Sequence, residues 1–283
     1  MRFWCSQVLE PWTWTPQPYF GVWIIGITLI VLRARALRAK KREGFPPELL
    51  ITNGQRVAFW SGLALFWIAS DWPVGPLGAS YLASIHMVQY MLYTLGAAPL
   101  LLISIPEWRS RELLAKYRLE GLVRLLSRPL AAVIAANGIL VVTHAPITVD
   151  LLRSSQTGSF VLDMVWLLGG FALWLPVAGP FRDWQIKAVP LKCVYLFGAA
   201  GLLPMIPGGF ITFAEFPLYE VYEIAPSLGI STIGDQQMAG AIMKIGSIPV
   251  IWTVMFIWWA RWAIAQHRVD TATVRVRTPS STV

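Results

Sequence analysis

Apolar residues along this chain gather in blocks long enough to cross a bilayer, and short polar stretches separate them. Neither the alternation of a half-buried strand nor the one-sided stripe of a surface helix describes such blocks. A hydrocarbon layer of about 30 Å asks for about 20 consecutive apolar residues per helix. The pattern predicts about seven spans, near residues 19–37, 57–70, 81–105, 129–144, 160–179, 188–210 and 238–265. The second and fourth are short for that layer and are expected to extend past polar residues or to sit where the bilayer thins. The expected fold class is all-α: a polytopic membrane helix bundle forming one integral domain over 1–283, with a polar tail over 266–283.

The loops set the orientation. Arg33, Arg35, Arg38, Lys40, Lys41, Arg42 and Arg56 lie between the first two spans, and the next loop, 71–80, has no Lys or Arg. Arg109, Arg111, Lys116, Arg118, Arg124 and Arg128 follow the third span, Arg153 alone the fourth, and Arg182 and Lys187 the fifth. Glu215, Glu220, Glu223 and Asp235, without a base, follow the sixth, and Arg268, Arg275 and Arg277 follow the seventh. Cationic loops stay on the cytoplasmic side. The alternation therefore predicts an outside N-terminus and a cytoplasmic C-terminus, and a wrong span count would break it.

Composition agrees. Of 283 residues 56% are hydrophobic and only 13% charged, against about one quarter charged in soluble domains. The mean hydropathy is +0.57. Fifteen Trp suit a chain with many positions at the headgroup boundary. A net charge of +8 raises the question of nucleic acid, but the bases are spread over inter-span loops rather than one patch, so no nucleic-acid partner is expected. No cleavable leader is expected in 1–18, and the first span is expected to serve as the insertion signal. Cys5 and Cys193 fall on opposite halves of the membrane, so no disulfide between them is expected.

With the topology drawn, the polar residues sort by depth. Asp71 follows the second span, His86 lies early in the third, His144 closes the fourth, and Asp150 follows it. Asp163 lies near the start of the fifth span, and Asp235 and Gln236 precede the seventh. All are expected at the outer face. Ionisable groups within spans are costly and usually face a bundle interior or a wet cavity. His86 and Tyr90 share one helix face, and Met87 and Met91 an adjacent one. Imidazole and thioether are both copper donors, the thioether for Cu(I) especially. The alternative is helix packing: a buried histidine bonded to a neighbour and a pair of core methionines. His144 stands before Pro146, where a broken helix end suits either a ligand or an interfacial anchor. Asp163 is either a metal or proton ligand or the partner of a histidine. Asp235 is expected to cap its own helix. Glu215, Glu220 and Glu223 with Tyr219 and Tyr222 read as a solvated loop or as a docking surface for a basic protein.

The run His86-Met87-Val88-Gln89, the later Ala98-Pro99-Leu100 and Pro106, His144-Ala-Pro146 with Asp150, Trp174-Leu-Pro176-Val177, and Asp235-Gln-Gln-Met-Ala-Gly240 resemble the caa3-type cytochrome c oxidase assembly factor family, CtaG, over most of the chain. The resemblance implies a multi-pass protein of the bacterial inner membrane that helps mature a haem-copper oxidase, with oxidase subunits as partners and copper as the group handled. Carried over position by position, His86 and His144 match the family's histidines, and Asp150 and Asp235 match its acidic positions. This chain departs from the family where relatives often read His-Met-x-x-His, having Tyr90, and where they often read Glu-His, having Leu162-Asp163. The expected metal donors are therefore His86, His144, Met87, Met91 and Asp163.

Three other readings stay open. An accessory structural subunit of a membrane respiratory complex is favoured by the absent histidines. A small-molecule or metal transporter would need a path across the bilayer, and the spans offer few midplane ionisable groups. An intramembrane enzyme ranks last, since the chain has no His-Glu-x-x-His, no Gly-x-Ser-x-Gly and no paired carboxylates on a span.

Overall fold

The structure, a computed structural model, describes residues 2–277, with side chains through Arg268. It is helical throughout, and the described residues hold no β-strand beyond an isolated bridge between Arg2 and Tyr19. The principal helices are α1 (Phe20–Arg42), α2 (Asn53–Ser70), α3 (Ala83–Ser104), α4 (Pro129–Thr143), α5 (Gln156–Ala178), α6 (Val189–Phe213) and α7 (Thr232–Arg268). Five of them, α1, α3, α5, α6 and α7, are long and apolar enough to cross a membrane alone. The remaining two qualify only with a bent companion. Pro47–Ser70 joins Val74–Tyr81 at 50°, and Glu120–Leu126 joins α4 at 90°. At 1.5 Å per residue, the fifteen residues of α4 span only about 22 Å, which is why the sequence shows this block as short.

Local chemistry explains where these helices begin and bend. Thr52 and Gln55 form a reciprocal capping box at the start of α2, and Ser155 and Ser231 accept from Gly158 and Gly234 at the starts of α5 and α7, each satisfying an otherwise orphaned N–H. α3 and α6 each contain a wide π turn, Leu92–Ala97 and Phe197–Leu202. Each π turn contains the residue four positions before a proline, Pro99 or Pro204. A proline lacks the N–H and clashes with that carbonyl, and one wide turn relieves the clash without ending the span.

α3 and α5 are the buried helices of the bundle, whereas α1 is mostly exposed. α6 and α7 approach closely through glycine: a Cβ on Gly240 would stand 2.7 Å from the Gly208 carbonyl oxygen. Small residues permit such contact where lipid supplies no hydrophobic drive. The basic C-terminal end of α1 and the helix Glu107–Tyr117 that follows α3 meet at one end of the bundle, where Lys40 pairs with Glu112 at 3.4 Å and Arg111 lies over Phe181.

At the other end, residues 2–19 fold back across the bundle. Phe3 N–H donates to Gln156 Oε1 (2.8 Å), Gln7 N–H to the Arg153 carbonyl (2.9 Å) and Val8 N–H to Ser80 Oγ (2.6 Å). The final helix runs on to Arg277, so much of the expected polar tail continues it; 278–283 lie outside the described residues.

Candidate functional site

The site lies at the end opposite the basic loops, where the start of α3, the end of α4 and the start of α5 converge under the segment Glu220–Glu223. His86 and Trp166 ring centroids are 4.7 Å apart, His86 and His144 5.5 Å, and Tyr90 and His144 4.8 Å. His86 and His144 are 1% and 4% exposed, so the two imidazoles expected to act together do lie together in the interior.

Each imidazole is held through Nδ1. The Tyr222 hydroxyl lies 2.6 Å from the Gly78 carbonyl oxygen and 2.8 Å from His86 Nδ1. A carbonyl can only accept, so the single phenolic proton goes to Gly78 and the phenol oxygen accepts Nδ1–H of His86. Burial pushes the Tyr222 phenol above its ordinary pKa, which keeps that proton in place. His144 Nδ1 lies 2.9 Å from the Leu140 carbonyl oxygen, another partner that can only accept. The His144 ring is thereby fixed in the tautomer whose Nε2 carries a lone pair, and His86 takes the same tautomer because the 2.8 Å contact to Tyr222 outweighs the 3.4 Å contact to Arg153 Nη2, a donor that asks the opposite of Nδ1. Both Nε2 atoms are buried without a hydrogen-bond partner among the described residues. His144 is held as metal-binding imidazoles typically are, by a second N–H on a carbonyl; for His86 a phenol oxygen takes that place.

Beside the pair runs a buried polar chain. Arg153 and Asp163, both 0% exposed, form an ion pair at 3.1 Å. Asp163 Oδ2 accepts from Trp4 Nε1 at 2.7 Å. Arg153 Nη2 donates to Gln89 Oε1 at 2.9 Å, and Gln89 Nε2 donates to the Ala69 carbonyl at 2.8 Å. Arg153 also lies over Trp166, 5.1 Å from its centroid, and 3.4 Å from His86 Nδ1. Burial pulls the Arg153 guanidinium down, but the Asp163 carboxylate and neighbouring groups outweigh it, so its pKa stands above the ordinary value.

Other expected donors are placed differently. Asp163 faces Arg153 and Trp4, so its charge is matched within the protein. Met87 is fully buried in the cluster with Leu140, Val149 and Tyr219. Met91 packs instead toward the junction in α7, where a Cβ on Gly246 would stand 2.8 Å from its sulfur. No group of three or more His, Cys, Asp or Glu suited to a metal ion occurs among the described residues.

The remaining polar residues of this end tie elements together. Asp71 accepts from Tyr19 N–H, Trp23 Nε1 and Trp72 N–H at 3.2, 3.0 and 2.9 Å. Asp150 lies in the short helix Pro146–Arg153 and accepts Val221 N–H at 3.0 Å. Gln236 accepts Leu218 N–H at 2.6 Å and donates to the Phe216 carbonyl at 3.1 Å. Asp235 caps a helix, but not its own. It accepts Ala83 N–H at 2.6 Å, Ser84 N–H at 3.3 Å and the Ser84 hydroxyl, closing the start of α3 from α7, while Ser231 caps α7. The expectation failed because the N-terminus of α3 crosses beside the start of α7, and α3 lacks a capping side chain of its own. In the acidic loop Glu215, Glu220 and Glu223 are exposed and Tyr219 and Tyr222 buried, so its tyrosines belong to the site and its acids to the surface.

Sequence reasoning missed Arg153, Gln89, Trp166 and Trp4. Gln89 stands one turn from His86 and Trp166 one turn from Asp163, so helical spacing carried a signal for both. Nothing in the pattern pointed to Arg153 or Trp4.

A family model described as cytochrome c oxidase caa3 assembly factor (Caa3_CtaG) matches residues 28–264. No curated protein and no solved structure matches.

Proposed function

Since the chain belongs to the family of cytochrome c oxidase caa3 assembly factors, we propose that it serves oxidase maturation by holding copper as cargo between His86 and His144, at the non-cytoplasmic face. The observation that carries the reading is the pair of buried Nε2 lone pairs, each oriented by an Nδ1–H that an acceptor holds. Two imidazoles on one ion, at metal–nitrogen distances of about 2 Å, have centroids within roughly 6 Å of each other, and these stand at 5.5 Å. Two nitrogen donors with no carboxylate between them in a buried pocket suit Cu(I) better than a hard cation. Met87 shares the Leu140 cluster and is the candidate for a third donor. Outer sidedness rests on the alternation of basic loops. The oxidase subunit that accepts copper there is the expected partner.

The test is the copper content of purified protein supplied with Cu(I), compared with His86→Ala, His144→Ala and the double substitution. About one copper per chain in the parent and a large loss in each variant are expected. Equal loading in all four removes the site.

Arg153 favours a second reading. A buried guanidinium 3.4 Å from His86 Nδ1 opposes a cation in the same pocket, and the buried polar chain is then a device for locking helices in an accessory subunit. Stoichiometric co-purification with an oxidase, with no copper bound, would establish that reading over the first.

A further inference from the structure

The groove between α1 and α5 carries an inference that does not depend on copper. α1 stands largely clear of the bundle, and the space beneath it is a cavity of about 420 Å³, within the usual range for a bound small molecule. Its walls are apolar: Leu29 and Leu32 of α1, Phe66 of α2, and Met164, Leu167 and Phe171 of α5. From Ile25 to Arg33 it follows α1 for about 12 Å, toward the basic end, where Arg33, Trp108 and Arg109 line it.

Arg33 makes this more than a gap between helices. It is half-buried and lies 4.3 Å above the Phe59 ring. It donates through Nη1 to the Ser104 carbonyl at 3.1 Å and through Nη2 to the Gln55 carbonyl at 3.2 Å. No carboxylate of the described residues stands within 4.0 Å of it, whereas Arg109 pairs with Glu112 at 3.1 Å. A partly desolvated guanidinium with spare N–H donors and no counter-ion is costly unless an anion meets it. An anion at this place must come attached to something that fills an apolar slot.

We propose that the groove binds one anionic phospholipid, with an acyl chain along α1 and α5 and the phosphate at Arg33. Trp108 and Arg109 then lie at headgroup level, where aromatic and basic residues anchor a membrane protein.

The full-length protein is purified in detergent and incubated with phosphatidylglycerol or with phosphatidylcholine of the same two chains, and retained lipid is counted by native mass spectrometry. Retention of phosphatidylglycerol about tenfold over phosphatidylcholine is expected, with the preference lost in Arg33→Gln. Ala36→Phe adds volume to the groove and removes no contact, so it is expected to lower retention of both lipids. Inorganic phosphate at millimolar concentration is expected not to displace the lipid. Equal retention of both lipids by the parent protein, a preference unchanged in Arg33→Gln, retention unchanged in Ala36→Phe, or displacement by phosphate would each overturn the proposal.

Discussion

Asp163→Asn isolates the energetics of the buried site. Asparagine keeps an oxygen for Trp4 Nε1 and removes the charge facing Arg153, with little change in volume. The two groups are fully buried and 3.1 Å apart, so their attraction is about 5 kcal/mol at an effective dielectric of about 20. No second carboxylate of the described residues stands within 4.0 Å of Arg153. The variant therefore leaves a buried cation uncompensated, at an expected cost of about 3–5 kcal/mol. Removing both charges, with Asp163→Asn and Arg153→Met together, is expected to cost less than the sum of the single changes, with a coupling of about 2–3 kcal/mol. The assay is denaturant unfolding in detergent, run as a double-mutant cycle. A single-variant loss under about 1 kcal/mol, or additive costs, would refute the reasoning, because either would mean that water or lipid headgroups screen the pair. Cu(I) loading supplies a second readout. It is expected to fall in Asp163→Asn, where the pocket gains a net positive charge beside His86, and to return in the double variant.

Tyr222→Phe removes the acceptor for His86 Nδ1–H while keeping the ring, so Cu(I) affinity is expected to fall about 10–100-fold; titration against a chromophoric Cu(I) chelator measures it, and unchanged affinity contradicts the tautomer assignment. Asp235→Ala uncaps α3 inside the protein and is expected to cost about 2 kcal/mol, against about 0.5–1 kcal/mol for Ser231→Ala at the exposed start of α7; equal losses on unfolding would count against the cross-helix cap. Cys5 is fully buried, and burial, then the nearby Asp163 carboxylate, push its thiol above the ordinary range. The thiolate is therefore absent at neutral and mildly alkaline pH, and maleimide is expected to modify half-buried Cys193 first, reaching Cys5 only on unfolding. Peptide mass spectrometry reads this directly, and native labelling of Cys5 at the rate of Cys193 would contradict the packing of the N-terminal segment.

The sequence by itself determined the helical membrane class and the family, because each is written in short-range composition. The length of an apolar block is a property of neighbouring residues, and the family signals sit in runs of a few positions such as 86–89 and 235–240. Spacing also brought His86 into view as a candidate, with Gln89 a turn away. Only the tertiary structure decided what these residues face. Asp163, read as a ligand or the partner of a histidine, is bonded to Arg153 and Trp4. Asp235 caps a helix some 150 residues away in the chain, and Tyr222, read as part of a surface loop, sets the tautomer of His86. Arg153 was legible only as one base in an acidic-side loop, since nothing local distinguishes a cation in water from one buried against a carboxylate. The physical reason is common to all four. A charged or hydrogen-bonding group takes its role from the partner that satisfies it, and in a bundle that partner comes from another helix or from the folded-back N-terminus, at a distance in sequence that no periodicity records.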